Sequence, residues 1–229
     1  MRNADEWSSQ RLGYRFRDPA LLEAALTHRS ASRKNYERLE FLGDAVLNFV
    51  VAQFAFEIFP EAPEGDLSRY RAAVVSAPSL AEVAGSLELG DQLRLGSGEL
   101  KSGGFRRDSI LADCLEAIFG AIYLDGGLEP AGQVIGRLLG DRLRELPSAE
   151  ALKDPKTRLQ EVLQSRGLAL PRYALEQVGG EPHDQWFVAS CEATDLQLSA
   201  TGKGSSRRRA EQEAAQRVLE AITRGQETP

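Results

Sequence analysis

Cysteine and histidine are almost missing from this chain, and their scarcity removes several chemistries at once. Cys114 and Cys191 lie far apart, so neither a disulfide framework nor a CxxC zinc pair is available. Both sit in apolar or alternating segments, where a free cysteine acts as a small buried hydrophobe. His28 and His183 are equally separated, which excludes an HExxH zinc protease. Ala25 and Gly180 stand three residues before them, so the Glu-x-x-His pairs of a di-iron carboxylate bundle are absent as well. There is no aspartate-rich DDxxD run, and "SATGKGSS" has Gln197 where a phosphate-binding P-loop needs its first glycine. The amino terminus, MRNADEWSSQ, lacks an apolar signal region, and no segment reads as the run of about 18 apolar residues of a membrane span. An intracellular, reducing, cytoplasmic location is expected, with no membrane partner and no small-molecule cofactor.

What is present is an ordinary globular composition, 42% hydrophobic and 27% charged, with a formal net charge of −6. That charge is unevenly placed. Residues 1–150 hold 17 Lys and Arg against 23 Asp and Glu, whereas residues 151–229 hold 11 against 11. A local basic patch, rather than the total, sets the field felt by a phosphate, so the acidic balance does not exclude a nucleic-acid partner.

The hydrophobic period divides the chain in two. From residue 18 to about 145 it is helical nearly throughout. Asp18 and Pro19 open one helix as N-cap and first helical residue, Asp66 is expected to cap another, and Pro78 interrupts it. A Gly-rich loop, residues 96–107, carries Lys101, Arg106 and Arg107 ahead of a helix that ends at "DGG", 125–127. After a polar linker the order becomes helix, three extended segments, helix. The expected architecture is an all-α domain over residues 1–147, a linker at 148–154, and an α+β domain of α-β-β-β-α order over 155–225.

Two helices carry a feature that burial makes expensive. In "NYERLEFLGDAVLNFV", with Glu40 at zero on a wheel of about 100° per residue, Asp44 falls at about 40° and Glu37 at about 60°. Apolar side chains fill most of the remaining circumference, the pattern of a helix buried all round. In "DSILADCLEAIFGAIYL" Asp113 and Glu116 form a second acidic edge, flanked by Ser109 and Gly120, small residues that leave room for something to approach. Buried carboxylates must be paired, protonated or bound to a cation. Salt bridges would satisfy them. Glu40, Asp44, Asp113 and Glu116 together would instead offer the hard oxygen ligands that Mg²⁺ or Mn²⁺ prefers, pointing to chemistry on phosphate.

These residues carry a specific likeness. "ERLEFLGDAVL" (37–47) resembles the signature motif of bacterial ribonuclease III, and "ALTHRS" (25–30), "PEGDLSRYRA" (63–72), "LGSGELKSGGFRRDSILADCLEAIFGAIYLD" (95–125) and "DPKTRLQEVLQ" (154–164) follow in that family's order. The likeness covers about residue 8 to 222. It implies an all-α endonuclease domain that forms a homodimer, followed by a double-stranded RNA-binding domain. Glu40, Asp44, Asp113 and Glu116 match the family's metal-binding carboxylates, with Asp44 and Glu116 expected to be catalytic. Glu37 and Glu64 match accessory acidic positions near the cleft. The implied products carry 5′-phosphate and 3′-hydroxyl ends from staggered cuts, and the implied substrates are ribosomal RNA precursors and other structured transcripts.

The carboxy-terminal part is similar to the family's RNA-binding domain. Thr157, Gln160 and Gln164 would meet the minor groove, His183 would enter the next one, and Arg207, Arg208 and Arg209 would hold the phosphates between them. Such domains read A-form shape over about 16 base pairs. The arginines lie at a helix N-terminus, where the helix dipole disfavours cations, so an anion is the expected compensation. Two further readings are a duplex-binding regulator without catalysis and a purely structural helical protein. Neither gains anything from the buried carboxylates.

Overall fold

The computed structural model describes residues 4–181 and 184–226, and the chain divides into two compact units, Met1–Ala149 and Glu150–Pro229. The first unit opens with an element not expected from the pattern. Helix α1 (Ala4–Trp7) runs on as a wide turn to Leu12, and the buried Trp7 indole donates to Leu87 O at 2.8 Å. Helix α2 (Pro19–Ala25) starts as its sequence dictates, with the Asp18 side chain accepting from the Ala20 N–H. Then come α3 (Glu37–Ile58), α4 (Glu64–Val74) and α5 (Ala77–Ser86), the last with Pro78 in its first turn. Asp66 does not cap α4. The helix begins two residues earlier, behind Pro63, and Asp66 pairs with Arg69 instead.

The Gly-rich segment is ordered rather than an open loop, with α6 (Ser97–Lys101) and a 3₁₀ turn at Gly104–Arg106. Helices α7 (Asp108–Gly126) and α8 (Leu128–Arg144) complete the unit. Cys114, Leu115, Ile118, Phe119 and Ile122 of α7 are fully buried, and each such apolar side chain contributes about 1.5–3 kcal/mol of transfer free energy. The α7 core packs against α3, α5 and α8.

The crossing of α3 and α7 positions everything that follows. A Cβ on Gly43 would lie 1.8 Å from the Glu116 carbonyl oxygen, and one on Gly120 would lie 2.3 Å from that of Leu39. The two backbones therefore touch, and what approaches Gly120 of α7 is helix α3, while Ser109 lines an open cleft.

Helix α3 is not buried all round. Leu39, Val46, Leu47, Val50, Val51 and Ala55 enter the core, but Phe41, Phe49 and Phe56 are 83%, 55% and 70% exposed. These phenylalanines fall within an arc of about 80° on the wheel, a bare apolar stripe that nothing else among the described residues of the unit covers. By length and composition α3 could cross a membrane, which was not expected from the sequence; its buried residues, 33% of that apolar stretch, pack in the core against α7, α8 and α4.

The second unit contains α9 (Pro155–Ser165), β1 (Arg172–Gly179), β2 (Trp186–Ala193), β3 (Leu198–Gly204) and α10 (Arg207–Gln226). The sheet is antiparallel in the order β1-β2-β3, with an irregularity between Leu175 and Gln177. Leu159 and Leu163 of α9 share a core with Cys191, Ala193, Ala214, Ala215 and Val218. The adjacent aromatics Trp186 and Phe187 on β2 are both only half-buried. The inward positions of β2 belong to Ala189, Cys191 and Ala193 because α10 lies hard on the sheet; a Cβ on Gly202 would meet the Ala214 nitrogen at 2.3 Å. Within the expected linker, the Ala149 N–H donates to Tyr70 Oη in the first unit (3.1 Å), and Lys153 pairs with Glu150 (2.7 Å) and Glu161 (2.5 Å) in the second.

Candidate metal centre and nucleic-acid interface

The contact of α3 with α7 brings Glu40, Asp113 and Glu116 together, with one carboxylate oxygen of each within 4.8 Å of the others. All three are half-buried. Burial pushes the Glu116 carboxyl up to about 8, and the negative charges of Asp44, Asp113 and Glu40 push in the same direction. Burial also raises Glu40, with Asp113 and Glu37 adding to the shift and Arg29 opposing it. Asp113 is raised by burial, with the His28 ring opposing. A site whose carboxylates repel one another in this way fits a hard divalent cation, which would relieve both repulsion and desolvation.

Asp44 stands outside this triangle. It is exposed, its carboxylate accepts from Asn48 Nδ2 at 2.8 Å, and it reaches the cluster through its influence on Glu116. Glu37 lines the adjoining cleft and lies 3.6 Å from Arg29. Glu64 is exposed at the start of α4, accepts from Ser68 Oγ (2.8 Å), and is not among the residues lining that cleft.

The cleft brings in residues that the acidic periodicity had not marked: His28, Tyr36 and Glu99. Tyr36 is buried, and its hydroxyl is held well above the usual phenol range by burial and then by Asp113. The His28 and Tyr36 rings meet edge to face at 5.6 Å. Arg29 and Arg107 supply cations at the rim, with Arg107 held by Glu99 at 3.0 Å. "ALTHRS" was the available signal for His28, but a single histidine in a polar turn has no period to expose it.

In the second unit Thr157, Gln160 and Gln164 are exposed on the α9 face opposite Leu159 and Leu163. Arg207, Arg208 and Arg209 are exposed at the start of α10, and His183 lies outside the described residues. The electrostatic penalty expected for these arginines is compensated internally. Arg207 Nε lies 2.8 Å from Glu211, which also takes Lys156 Nζ at 2.6 Å, and Arg208 reaches Asp154 at 3.5 Å. Arg209 alone of the three bonds to a hydroxyl, Ser205 Oγ at 3.4 Å. Trp186 lies over Gly179 beneath Lys203, whose Nζ is 4.5 Å from the ring centroid.

Comparison with known proteins yields two family matches: a ribonuclease-III-like model over residues 18–143 and the double-stranded RNA binding motif over residues 155–222. The chain is 56% identical over 212 residues to ribonuclease 3 of Nitrosococcus oceani, covering 92% of this chain and 91% of that protein. Ribonuclease 3 of Pseudomonas aeruginosa is 54% identical over 222 residues, 97% of each chain. Among solved structures, the nuclease domain of ribonuclease III from Campylobacter jejuni matches with a TM-score of 0.60 and 46% identity, over 64% of this chain and all (100%) of that one. A second structure of that domain, described for flexibility in a region involved in dimer formation, has a TM-score of 0.58 and 48% identity, over 59% and 96% of the two chains.

Proposed function

The chain belongs to the ribonuclease III family, and from that premise we propose that this endoribonuclease hydrolyses double-stranded RNA with divalent metal, Mg²⁺ or Mn²⁺, held by Glu40, Asp113 and Glu116, with Asp44 completing the set. The observation that carries the proposal is the carboxylate triangle, assembled by two helices in backbone contact and raised in pKa by burial, with neighbouring carboxylates adding to the rise at Glu116 and Glu40. When bound, the metal supplies positive charge for the attacking and leaving oxygens of an in-line phosphodiester hydrolysis.

The chain's own side chains bring the phosphate to that charge. Arg29 and Arg107 at the cleft rim draw the RNA backbone toward an otherwise repulsive acidic site, and Glu37 and Glu99 fix their directions. Glu37 and Glu64 act as accessory acids without joining the triangle. In the second unit Thr157, Gln160 and Gln164 take the minor groove and its 2′-hydroxyls, His183 the next groove, and Arg207 to Arg209 the intervening phosphates. A-form geometry then selects duplex RNA over duplex DNA.

The active form is a homodimer joined through the bare Phe41, Phe49 and Phe56 stripe, whose exposure beside Glu40 would set two acidic sites against one duplex. Two sites acting on opposite strands give staggered cuts with 5′-phosphate and 3′-hydroxyl ends, in ribosomal RNA precursors and other structured cytoplasmic transcripts. The test is incubation with long duplex RNA, single-stranded RNA and duplex DNA in Mg²⁺, Ca²⁺ or chelator. Shortening of duplex RNA alone, and only in Mg²⁺, is the expected outcome; stable binding without cleavage in every metal would show a duplex-binding regulator.

A further inference from the structure

A chain of hydrogen bonds runs from the Gly-rich segment to the acidic cleft. The Gly96 N–H donates to Ser30 Oγ at 2.9 Å, and Ser30 Oγ lies 2.7 Å from His28 Nδ1. The Ser30 backbone N–H also donates to Nδ1, at 3.1 Å. A backbone N–H can only donate, so Nδ1 must be the acceptor. The ring proton therefore sits on Nε2. With Nδ1 occupied on the Ser30 side, Nε2 is the ring atom left for the cleft that His28 shares with Asp113.

The surroundings hold this arrangement rigid. His28 is 8% exposed and braced by the Tyr36 ring. Residues 26–28 and 94 are zipped by backbone bonds, His28 N–H to Arg94 O at 3.0 Å and Arg94 N–H to Leu26 O at 2.8 Å. Gly96 lies so close that a Cβ there would stand 2.3 Å from Ser30 O, so only glycine lets the segment reach the hydroxyl.

We propose that His28 is a positioning residue for Asp113: Gly96 and Ser30 fix its tautomer, and its Nε2–H, through one bridging water in the cleft that both residues line, orients the Asp113 carboxylate for metal binding. A metal-binding carboxylate held by an outer hydrogen-bond donor is a recurrent arrangement, and losing the donor typically weakens metal affinity by about 10–100-fold. The same chain ties the cleft to the segment that carries Lys101, Arg106 and Arg107. The inference rests on the metal-site reading above.

Two measurements on the full chain test it, neither requiring catalysis. In ¹⁵N spectra of the wild-type protein, where only two histidines contribute, His28 should show a protonated Nε2 and an accepting Nδ1; a proton on Nδ1 overturns the proposal. In Mn²⁺ titrations without RNA, Ser30→Ala and His28→Gln should weaken binding about tenfold or more, and Ser30→Thr, which keeps the hydroxyl, should restore it. Wild-type Mn²⁺ affinity in Ser30→Ala and His28→Gln, with binding lost in Asp113→Asn, overturns the positioning role and leaves the metal site standing. Undiminished Mn²⁺ binding in Asp113→Asn overturns the metal-site reading, and the proposal with it.

Discussion

The two units treat their acidic residues in opposite ways. In the second, Glu211 is 7% exposed yet sits between Lys156 and Arg207, and Asp154 accepts from the Lys156 N–H and lies beside Gln212 and Arg208. Despite burial, these partners hold both carboxyls below the usual range. In the first unit, Glu40, Asp113 and Glu116 are gathered by the helix crossing and face mainly one another, and all three are raised. The chain supplies its own cations where an acid serves to hold arginines in place. In the first unit the groups that oppose the rise, Arg29 at Glu40 and His28 at Asp113, leave both carboxyls raised, which suits the metal site proposed there. Burial alone does not separate the two groups of carboxylates; how fully opposite charge meets them does.

The sharpest way to break this comparison is to remove charge from the unsatisfied set. Glu116→Gln should lower single-turnover cleavage of duplex RNA in Mg²⁺ on the order of 10³-fold, the scale of several kcal/mol of transition-state charge stabilisation. Duplex binding in Ca²⁺ should stay near wild type, because the second unit is untouched. Wild-type cleavage by this variant would remove Glu116 from the chemistry.

Next in size is the crossing that gathers the set. Gly43→Ala places a methyl group 1.8 Å from the Glu116 carbonyl and should destabilise the first unit by about 3 kcal/mol or more, the upper range for overpacking between rigid backbones. Calorimetry should show the transition of the first unit moving down while that of the second stays in place.

The opposite pKa directions predict opposite pH slopes in the metal-free protein. Burial pushes the folded Glu116 carboxyl up to about 8, against 4.5 for a free glutamate, so the folded state binds the proton more tightly. Its contribution is fully present below the unfolded pKa and is lost as pH rises through the folded one. The first transition should therefore fall by a few degrees between weakly acidic and weakly alkaline pH, a fall that Glu116→Gln flattens and Mg²⁺ opposes. Glu211 and Asp154 are lowered, so their stabilisation is present above their unfolded pKa values and is lost as pH falls through the folded ones. Parallel slopes in the two transitions would contradict the contrast.

The smallest effect belongs to Arg209, the one arginine of the 207–209 run that no acid holds among the described residues. Arg209→Ala should weaken duplex binding less than about tenfold and reduce the slope of log affinity against log salt by about 1, the signature of one lost phosphate contact. An unchanged salt slope would place Arg209 away from the RNA.

The α-β-β-β-α order, the Asp18–Pro19 helix start and the acidic edges of α3 and α7 were all legible, because local period and capping chemistry write them directly into the chain. Other features were not. The α1 helix is short and takes its stability from Trp7 reaching Leu87, 80 residues away. Asp66 looked like a cap but lies in the first turn of its helix, which starts behind Pro63 with no side-chain cap. For the Arg207–Arg209 run, Glu211 one turn along the helix meets Arg207, but the partner of Arg208, Asp154, is distant in sequence and only the packing of α9 against α10 brings it near.

By itself, then, the sequence determined which helices carry carboxylates, which end carries the arginines and where the period changes, since each follows from neighbours within a turn or a strand. Tertiary structure alone decided which acids meet. Glu40, Asp113 and Glu116 form a triangle because Gly43 and Gly120 let two backbones touch, while Asp44, one turn along the same helix, is left with Asn48. It also decided that Phe41, Phe49 and Phe56 stay bare. A wheel records the direction of a side chain from its own axis; whether that direction ends in core, in a second carboxylate or in water depends on what another segment places there.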